Sequence, residues 1–263
     1  MINILAKILT AKKGQIEQML LQTVSVENVD IARSSLFDAL YHSKTLQVVS
    51  EIKRASPSKG VIAEGINPAE QASLYEEAGA ACISVLTDTP FFKGTFNDLA
   101  EVARTVSIPI LCKDFIIHPI QIDFAKSAGA SVVLLIVAAL DQKKLTTLYQ
   151  YAINKGLEVL VEVHDSCELD RAIQVDAKLI GVNNRDLRTF QVDLSRTAEI
   201  AASFPFEEKR VLISESGIWN STDATKVANY GASAVLVGES LMRSGDVRNA
   251  IRSLQVQREV ITS

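Results

Sequence analysis

The chain has 263 residues, enough for one large domain or two ordinary ones, and its 48% hydrophobic and 22% charged residues describe a globular protein with a substantial core. A formal net charge of −4 excludes any whole-molecule attraction to nucleic acid or an anionic membrane, so an anionic ligand would need positive charge gathered locally. The longest apolar run, Val132 to Leu140, falls far short of the ~20 residues a membrane span needs, and Lys7, Lys12 and Lys13 interrupt any N-terminal signal stretch.

Residues 1–45 open the chain with Ile4, Leu5, Ile8 and Leu9, then Ile16, Met19 and Leu20, at helical spacing. They predict a helical extension that packs on or covers the rest. From residue 46 onward one unit repeats: an apolar β-rich run, a polar stretch, then an amphipathic helix. The predicted strands are Leu46–Lys53, Cys82–Leu86, Ile108–Lys113, Ser131–Val137, Leu157–Val163, Leu179–Asn183, Arg210–Ser214 and Ala234–Val237. Several are near-continuous Val/Ile/Leu runs, as expected of strands buried on both faces of a parallel sheet. Helical patterns such as Pro68–Ala78, Phe96–Thr105, Pro119–Ala128 and Lys143–Asn154 lie between them, and Gly79, Gly129, Gly156 and Gly231 stand just before the next strand. Glycine accepts the left-handed backbone that ends a helix, so these positions act as stops. Eight such units predict a closed (β/α)8 barrel, a single domain over 1–263 with the barrel at 46–263. An open doubly wound sheet is the alternative. Cys82 and Cys112 sit in apolar runs, and with Cys167 they form no CxxC pair, which points to a reduced, cytoplasmic protein.

Barrels of this kind collect chemistry at the C-terminal ends of their strands, so polar residues that interrupt an apolar strand identify the candidates. Glu51 and Lys53 share a face at the end of the first strand. Lys113 ends the third, Glu162 interrupts the fifth, Asn183 and Arg185 follow one face of the sixth, and Glu215 and Ser216 close the seventh. One such residue is an ordinary strand-end ion pair. Five strands delivering polar groups to one rim require a function, because unpaired buried charge is costly. Lysines beside glutamates can tune one another as acids and bases and attract a substrate with several negative groups. Gly217 after strand seven, and Gly238 with Glu239 after strand eight, stand where barrels bind phosphate through backbone N–H groups. The Glu239 side chain is expected to turn away.

Other motifs fail. Gly60 and Gly65 have P-loop spacing, but Ile66-Asn67 follows where Lys-Ser/Thr is required. His42, His118 and His164 are scattered and form no metal set. His164 reads as a satisfied strand-end histidine, and Trp219 as packing at a helix start.

Seven motifs in order resemble the indole-3-glycerol phosphate synthases. They are Glu51-Ile52-Lys53-Arg54-Ala55-Ser56-Pro57-Ser58-Lys59-Gly60, Cys112-Lys113-Asp114-Phe115-Ile116, Leu134-Leu135-Ile136-Val137 and Leu160-Val161-Glu162-Val163-His164, followed by Gly181-Val182-Asn183-Asn184-Arg185-Asp186-Leu187, Ser214-Glu215-Ser216-Gly217-Ile218 and Val237-Gly238-Glu239-Ser240-Leu241-Met242. The resemblance runs from about residue 46 to 243, more loosely over the N-terminal helix. It implies a monofunctional lyase of tryptophan biosynthesis that converts 1-(2-carboxyphenylamino)-1-deoxyribulose 5-phosphate to indole-3-glycerol phosphate, CO₂ and water, with no cofactor and no metal. It also implies Lys113 as the acid for ring closure and Glu162 as the acid/base of dehydration, with Lys53 a rival for part of that role. Glu51 and Asn183 would position these groups, and Glu215 and Ser216 would line the pocket. Lys53, Gly217, Gly238 and Glu239 would hold the phosphate, while Arg185 orients the anionic substrate. Ser56, Pro57 and Ser58 would lie on a mobile loop near the carboxylate, and Phe92 and Phe115 would wall the aromatic ring. A neighbouring isomerase and a catalytically silent binding barrel are the competing readings. A monomer is expected, and association with other enzymes of the pathway stays open.

Overall fold

Eight parallel strands close on themselves in sequence order: β1 (Gln47–Ile52), β2 (Cys82–Leu86), β3 (Ile110–Lys113), β4 (Val132–Ile136), β5 (Glu158–Val163), β6 (Leu179–Asn183), β7 (Val211–Glu215) and β8 (Ala234–Val237), the last pairing back onto the first. The computed structural model describes residues 4–22, 29, 31–57, 59–62, 65–186 and 189–258. Two helices precede the barrel, α1 (Ile4–Leu21) and α2 (Leu36–Tyr41). One helix then follows each strand: α3 (Pro68–Glu77), α4 (Phe96–Thr105), α5 (Pro119–Ser127), α6 (Gln142–Asn154), α7 (Ser166–Gln174), α8 (Ser195–Ala201), α9 (Ser221–Asn229) and α10 (Val247–Leu254). The closed barrel replaces the open-sheet alternative.

Local chemistry accounts for the boundaries. Asn67, Thr95, Asp141, Asp165, Asn220 and Asp246 cap helix N-termini through their side chains. His118 caps α5 in a reciprocal arrangement with Gln121. The four glycines read as helix stops all adopt positive φ, from +76° at Gly156 to +95° at Gly231. Strand β3 begins at Ile110, two residues later than its sequence predicts, because Pro109 has no N–H to give the ladder and contributes only its carbonyl, to Ile83 N–H at 3.0 Å. Strand β7 runs one residue further than predicted, to Glu215.

Strand alternation divides the core in two. Outward residues such as Val48, Ile83, Val133, Val161 and Leu212 pack against the helix ring. Inward residues, including Val49, Leu111, Leu160, Leu179, Ile213 and Leu236, fill the barrel together with Leu36 and Leu40 of α2. Helix α2 therefore plugs the N-terminal end of the barrel. Glu158, the first residue of β5, fixes it there by accepting from the Leu36 N–H at 2.7 Å, the Phe37 N–H at 2.9 Å and the Ser35 hydroxyl at 2.9 Å. Helix α1 lies at the opposite end and brings Ile4, Leu5 and Ile8 over the mouth. The extension thus comprises two helices that close the two ends, where the spacing of apolar residues predicts one helical segment.

Candidate active site

The inward face changes character along each strand. Two residues beyond Val49 it presents Glu51, beyond Leu111 Lys113, beyond Leu160 Glu162, beyond Leu179 first Gly181 and then Asn183, and beyond Ile213 Glu215. Period-two geometry delivers all of them to one layer at the mouth. The ladder pairs Glu162 with Gly181, and Asn183 with Glu215. Two glycines make the layer possible: a Cβ at Gly181 would collide with the Glu215 carboxylate, and one at Gly238 would stand 2.6 Å from Glu51 Oε1.

Lys113 is at the centre. Its ammonium donates to Glu215 Oε2 and lies 3.9 Å from both Glu51 Oε2 and Glu162 Oε2, while Lys53 pairs with Glu51 Oε1. Asn183 Nδ2 donates to Glu162 Oε1 at 3.1 Å, and its own oxygen accepts the Arg185 N–H at 3.0 Å. Burial alone favours a neutral amine at Lys113, but the surrounding carboxylates of Glu215, Glu51 and Glu162 outweigh it and raise its proton affinity above the ordinary lysine value. Burial likewise opposes ionisation of Glu51, yet Lys53 and Lys113 hold its pKa below the usual carboxylate range. Three carboxylates share two lysines. The surplus charge falls on Glu215, where burial, then the nearby carboxylates, push the pKa up to about 7 against the pull of Lys113.

Around this charged floor the cavity is lined by Ser56, Pro57, Phe92, Phe115, Arg185, Ser216, Gly217, Gly238 and Glu239, together with Leu134, Ile136 and the roof residues of α1. The Phe92 and Phe115 rings stand 6.0 Å apart and form one apolar wall. Asp88 places Phe92 by capping the turn Thr89–Phe92 with Oδ1, which accepts the Phe91 N–H at 2.9 Å. On the opposite side Ser216 (φ +67°) and Gly217 (φ +87°) bend sharply after β7, a backbone shape whose N–H groups can hold an anion. Asn184 buttresses this bend: it is fully buried, donates to Ser214 Oγ, Glu215 O and Ser216 O, and accepts from Thr197.

All but two of the predicted site residues line the cavity. Glu215 lies beneath Lys113, 1% exposed, and acts on the ammonium from below. Ser58 lies outside the described residues. The Glu239 carboxylate is engaged by Arg243 at 3.2 Å, with Lys59 at 3.7 Å. Trp219 corrects the sequence reading: its backbone N–H is held by Asp223, but the residue is 52% exposed and lines the cavity. His164 is only half satisfied: Nδ1 bonds Glu168 at 3.1 Å, while the buried Nε2 makes no hydrogen bond and faces Glu162 Oε1 at 3.5 Å. Sequence reading missed Lys12, Asp88, Asp114, Asn184 and Thr197. Asp88 and Asp114 each sit beside a strand end and were legible as candidates; Lys12, in a helix far upstream, carried no such signal. Among the described residues no group of His, Cys, Asp and Glu is arranged to hold a metal ion, and no helix is long and apolar enough to cross a membrane.

A family model described as indole-3-glycerol phosphate synthase matches residues 5–254. The indole-3-glycerol phosphate synthase of Oceanobacillus iheyensis is 47% identical over 252 residues, covering 96% of each chain. That of Bacillus cereus is 46% identical over 254 residues, 97% of this chain and 98% of its own. Among solved structures, thiamine phosphate pyrophosphorylase from Pyrococcus furiosus superposes with a TM-score of 0.58 at 20% identity, over 80% of this chain and 94% of that one, a likeness of fold alone. Near-half identity across almost the whole length, in a barrel whose mouth gathers lysines and carboxylates, leaves one conclusion: the chain belongs to the indole-3-glycerol phosphate synthase family, the lyases that close the indole ring in tryptophan biosynthesis.

Proposed function

We propose the following division of work for the family's reaction, in which the carboxyphenylamino-deoxyribulose phosphate closes to indole-3-glycerol phosphate with loss of CO₂ and water. Lys113 is the acid of ring closure. As the ring carbon bearing the carboxylate attacks the ketone, a carbon–carbon bond forms and the ketone oxygen takes up the Lys113 proton. Three carboxylates keep this lysine an ammonium, poised where negative charge develops. Loss of CO₂ returns the bonding pair to the ring. The new hydroxyl then leaves as water with a proton supplied by Glu162, which Asn183 orients, while the adjacent ring CH₂ gives up a proton to the Lys113 amine left by the first step and the indole double bond forms.

Lys53 neutralises the phosphate and shares in proton transfer, and Glu51 holds it. Gly217, Gly238 and Glu239 contribute backbone donors to the phosphate, and Ser216 lines the same pocket. Arg185, Ser56, Pro57 and Ser58 engage the anionic groups of the substrate, and Phe92 with Phe115 flanks the aromatic ring. These lysines and carboxylates supply every proton, so the reading requires no cofactor and no metal. We take the enzyme to be a cytoplasmic, single-domain monomer.

The observation that carries this reading is the single lysine ringed by Glu51, Glu162 and Glu215 at the barrel mouth. Indole fluorescence during incubation with the carboxyphenylamino-deoxyribulose phosphate tests it. Wild type should generate product, and a folded Lys113→Ala variant should be slower by at least about 100-fold. Equal rates in the two would remove Lys113 from the acid role, and no product from folded wild type would sink the whole reading.

A further inference from the structure

Lys12, at the middle of α1, is 2% exposed. Its ammonium lies 2.7 Å from Asp88 Oδ2 and 2.6 Å from Asp114 Oδ1, and both carboxylates are equally buried. Lysine is almost never fully buried unless paired, and removing three charges from water is expensive even when they meet. Helix α1 does not need the triad to dock, since Leu5, Ile8 and Ile16 already bury an apolar stripe. What the triad adds is position. Asp88 caps the turn that carries Phe92. Asp114 follows Lys113 directly in the chain, and its Oδ1 also accepts the Phe115 N–H at 2.7 Å. One ammonium therefore ties together the helix over the mouth, both rings of the aromatic wall and the strand end that presents Lys113.

We propose that Lys12 is a positioning residue for ring closure, which by bridging Asp88 and Asp114 fixes the roof helix and the Phe92–Phe115 wall relative to Lys113. This rests on the assignment of Lys113 as the acid. Without the bridge two buried carboxylates face each other with no cation between them, so the turn before Phe92 and the Lys113 strand end separate. A misplacement of about 1 Å between acid and ketone can cost on the order of 100-fold in rate.

The test is steady-state kinetics of the full chain with the carboxyphenylamino-deoxyribulose phosphate, well below each variant's melting temperature. Wild type is compared with Lys12→Met, Asp88→Asn and Asp114→Asn, and with Ser35→Ala as a control that removes the α2 cap at the far end of the barrel. Ser35→Ala should lower Tm and keep wild-type kcat and KM. Lys12→Met should lose about 100-fold in kcat/KM, through both a higher KM and a lower kcat. Each Asp→Asn variant leaves Lys12 one carboxylate. Asp114→Asn should act mainly on kcat, because it adjoins Lys113, and Asp88→Asn mainly on KM, through Phe92. A folded Lys12→Met within about threefold of wild type would overturn the proposal. If that variant fails to fold, Asp88→Asn and Asp114→Asn decide, and matched or negligible losses without the kcat–KM division overturn it equally. No product from wild type would instead overturn the reaction assignment, a distinguishable result.

Discussion

At the scale of single residues, the site is governed by an unequal count of charges. Lys53 and Lys113 face Glu51, Glu162 and Glu215, and the least solvated carboxyl holds a proton longest. Below about pH 7 Glu215 becomes neutral and releases its hold on Lys113. The kcat/KM profile should therefore fall on the acid side of about pH 7, and in Glu215→Gln that limb should vanish while the plateau drops. A limb that persists unchanged in Glu215→Gln would assign it to another group. The neighbouring Gly181 is as constrained as the charges, because the space a methyl group would occupy is taken by the Glu215 carboxylate.

At the scale of elements, the two N-terminal helices perform different tasks at opposite ends. Helix α2 is a plug: Leu36 and Leu40 complete the barrel interior, and Glu158 satisfies its first N–H groups. Glu158→Gln weakens three charge-assisted hydrogen bonds, roughly 1.5–3 kcal/mol in all once solvent compensation is counted, so Tm should fall on the order of 5 °C. Because Glu158 is at the far end from the mouth, kcat and KM should stay at wild-type values; a changed kcat would show that the two ends are coupled. Helix α1 instead holds Lys12 and part of the cavity roof. The first loop after β1 is restrained in a third way: Arg54 makes a bidentate pair with Asp98, at 2.6 and 2.8 Å, and so fastens the loop base to the start of α4.

At the scale of the whole molecule, a barrel with a net charge of −4 places Lys53, Lys113 and Arg185 at its mouth, interleaved with Glu51, Glu162 and Glu239. The buried charges also shape stability against pH, with signs that differ by group. Burial disfavours the Lys12 ammonium, but Asp114 and Asp88 raise its pKa above the ordinary 10.5, so the stability it contributes is full below that pH and is lost as pH climbs through the raised value. Glu51, with its pKa lowered, contributes stability above the ordinary 4.5 that is lost on acidification through the lowered value. Glu215 acts oppositely: its raised pKa costs stability as pH rises from 4.5 to about 7. Thermal melts across pH should show Tm declining above about pH 10.5 in wild type and a flatter alkaline limb in Lys12→Met. Parallel alkaline limbs in the two proteins would mean that Lys12 is not the titrating group.

Local rules made the barrel and most of its rim readable from the sequence alone. Alternation of period two, glycine stops such as Gly129 and Gly231, and capping residues act over a few positions, so β2, β6 and β8 were bounded correctly, and Glu51, Lys113, Glu162 and Asn183 stood out as charges or amides closing apolar strands. Only closure of the barrel decided which of these groups meet. Lys113 and Glu215 are 102 positions apart in the chain, and nothing local pairs them. The same holds for Lys12, a lysine in a helix whose surface or interior position depends on where Asp88 and Asp114 arrive, and for Trp219, which the bend after β7 brings to the cavity. Side-chain direction along a strand is a property of the backbone and can be counted from the sequence. The partner of a buried charge is set by the low-dielectric interior that the folded barrel encloses, where each ion must find its counter-ion at contact distance.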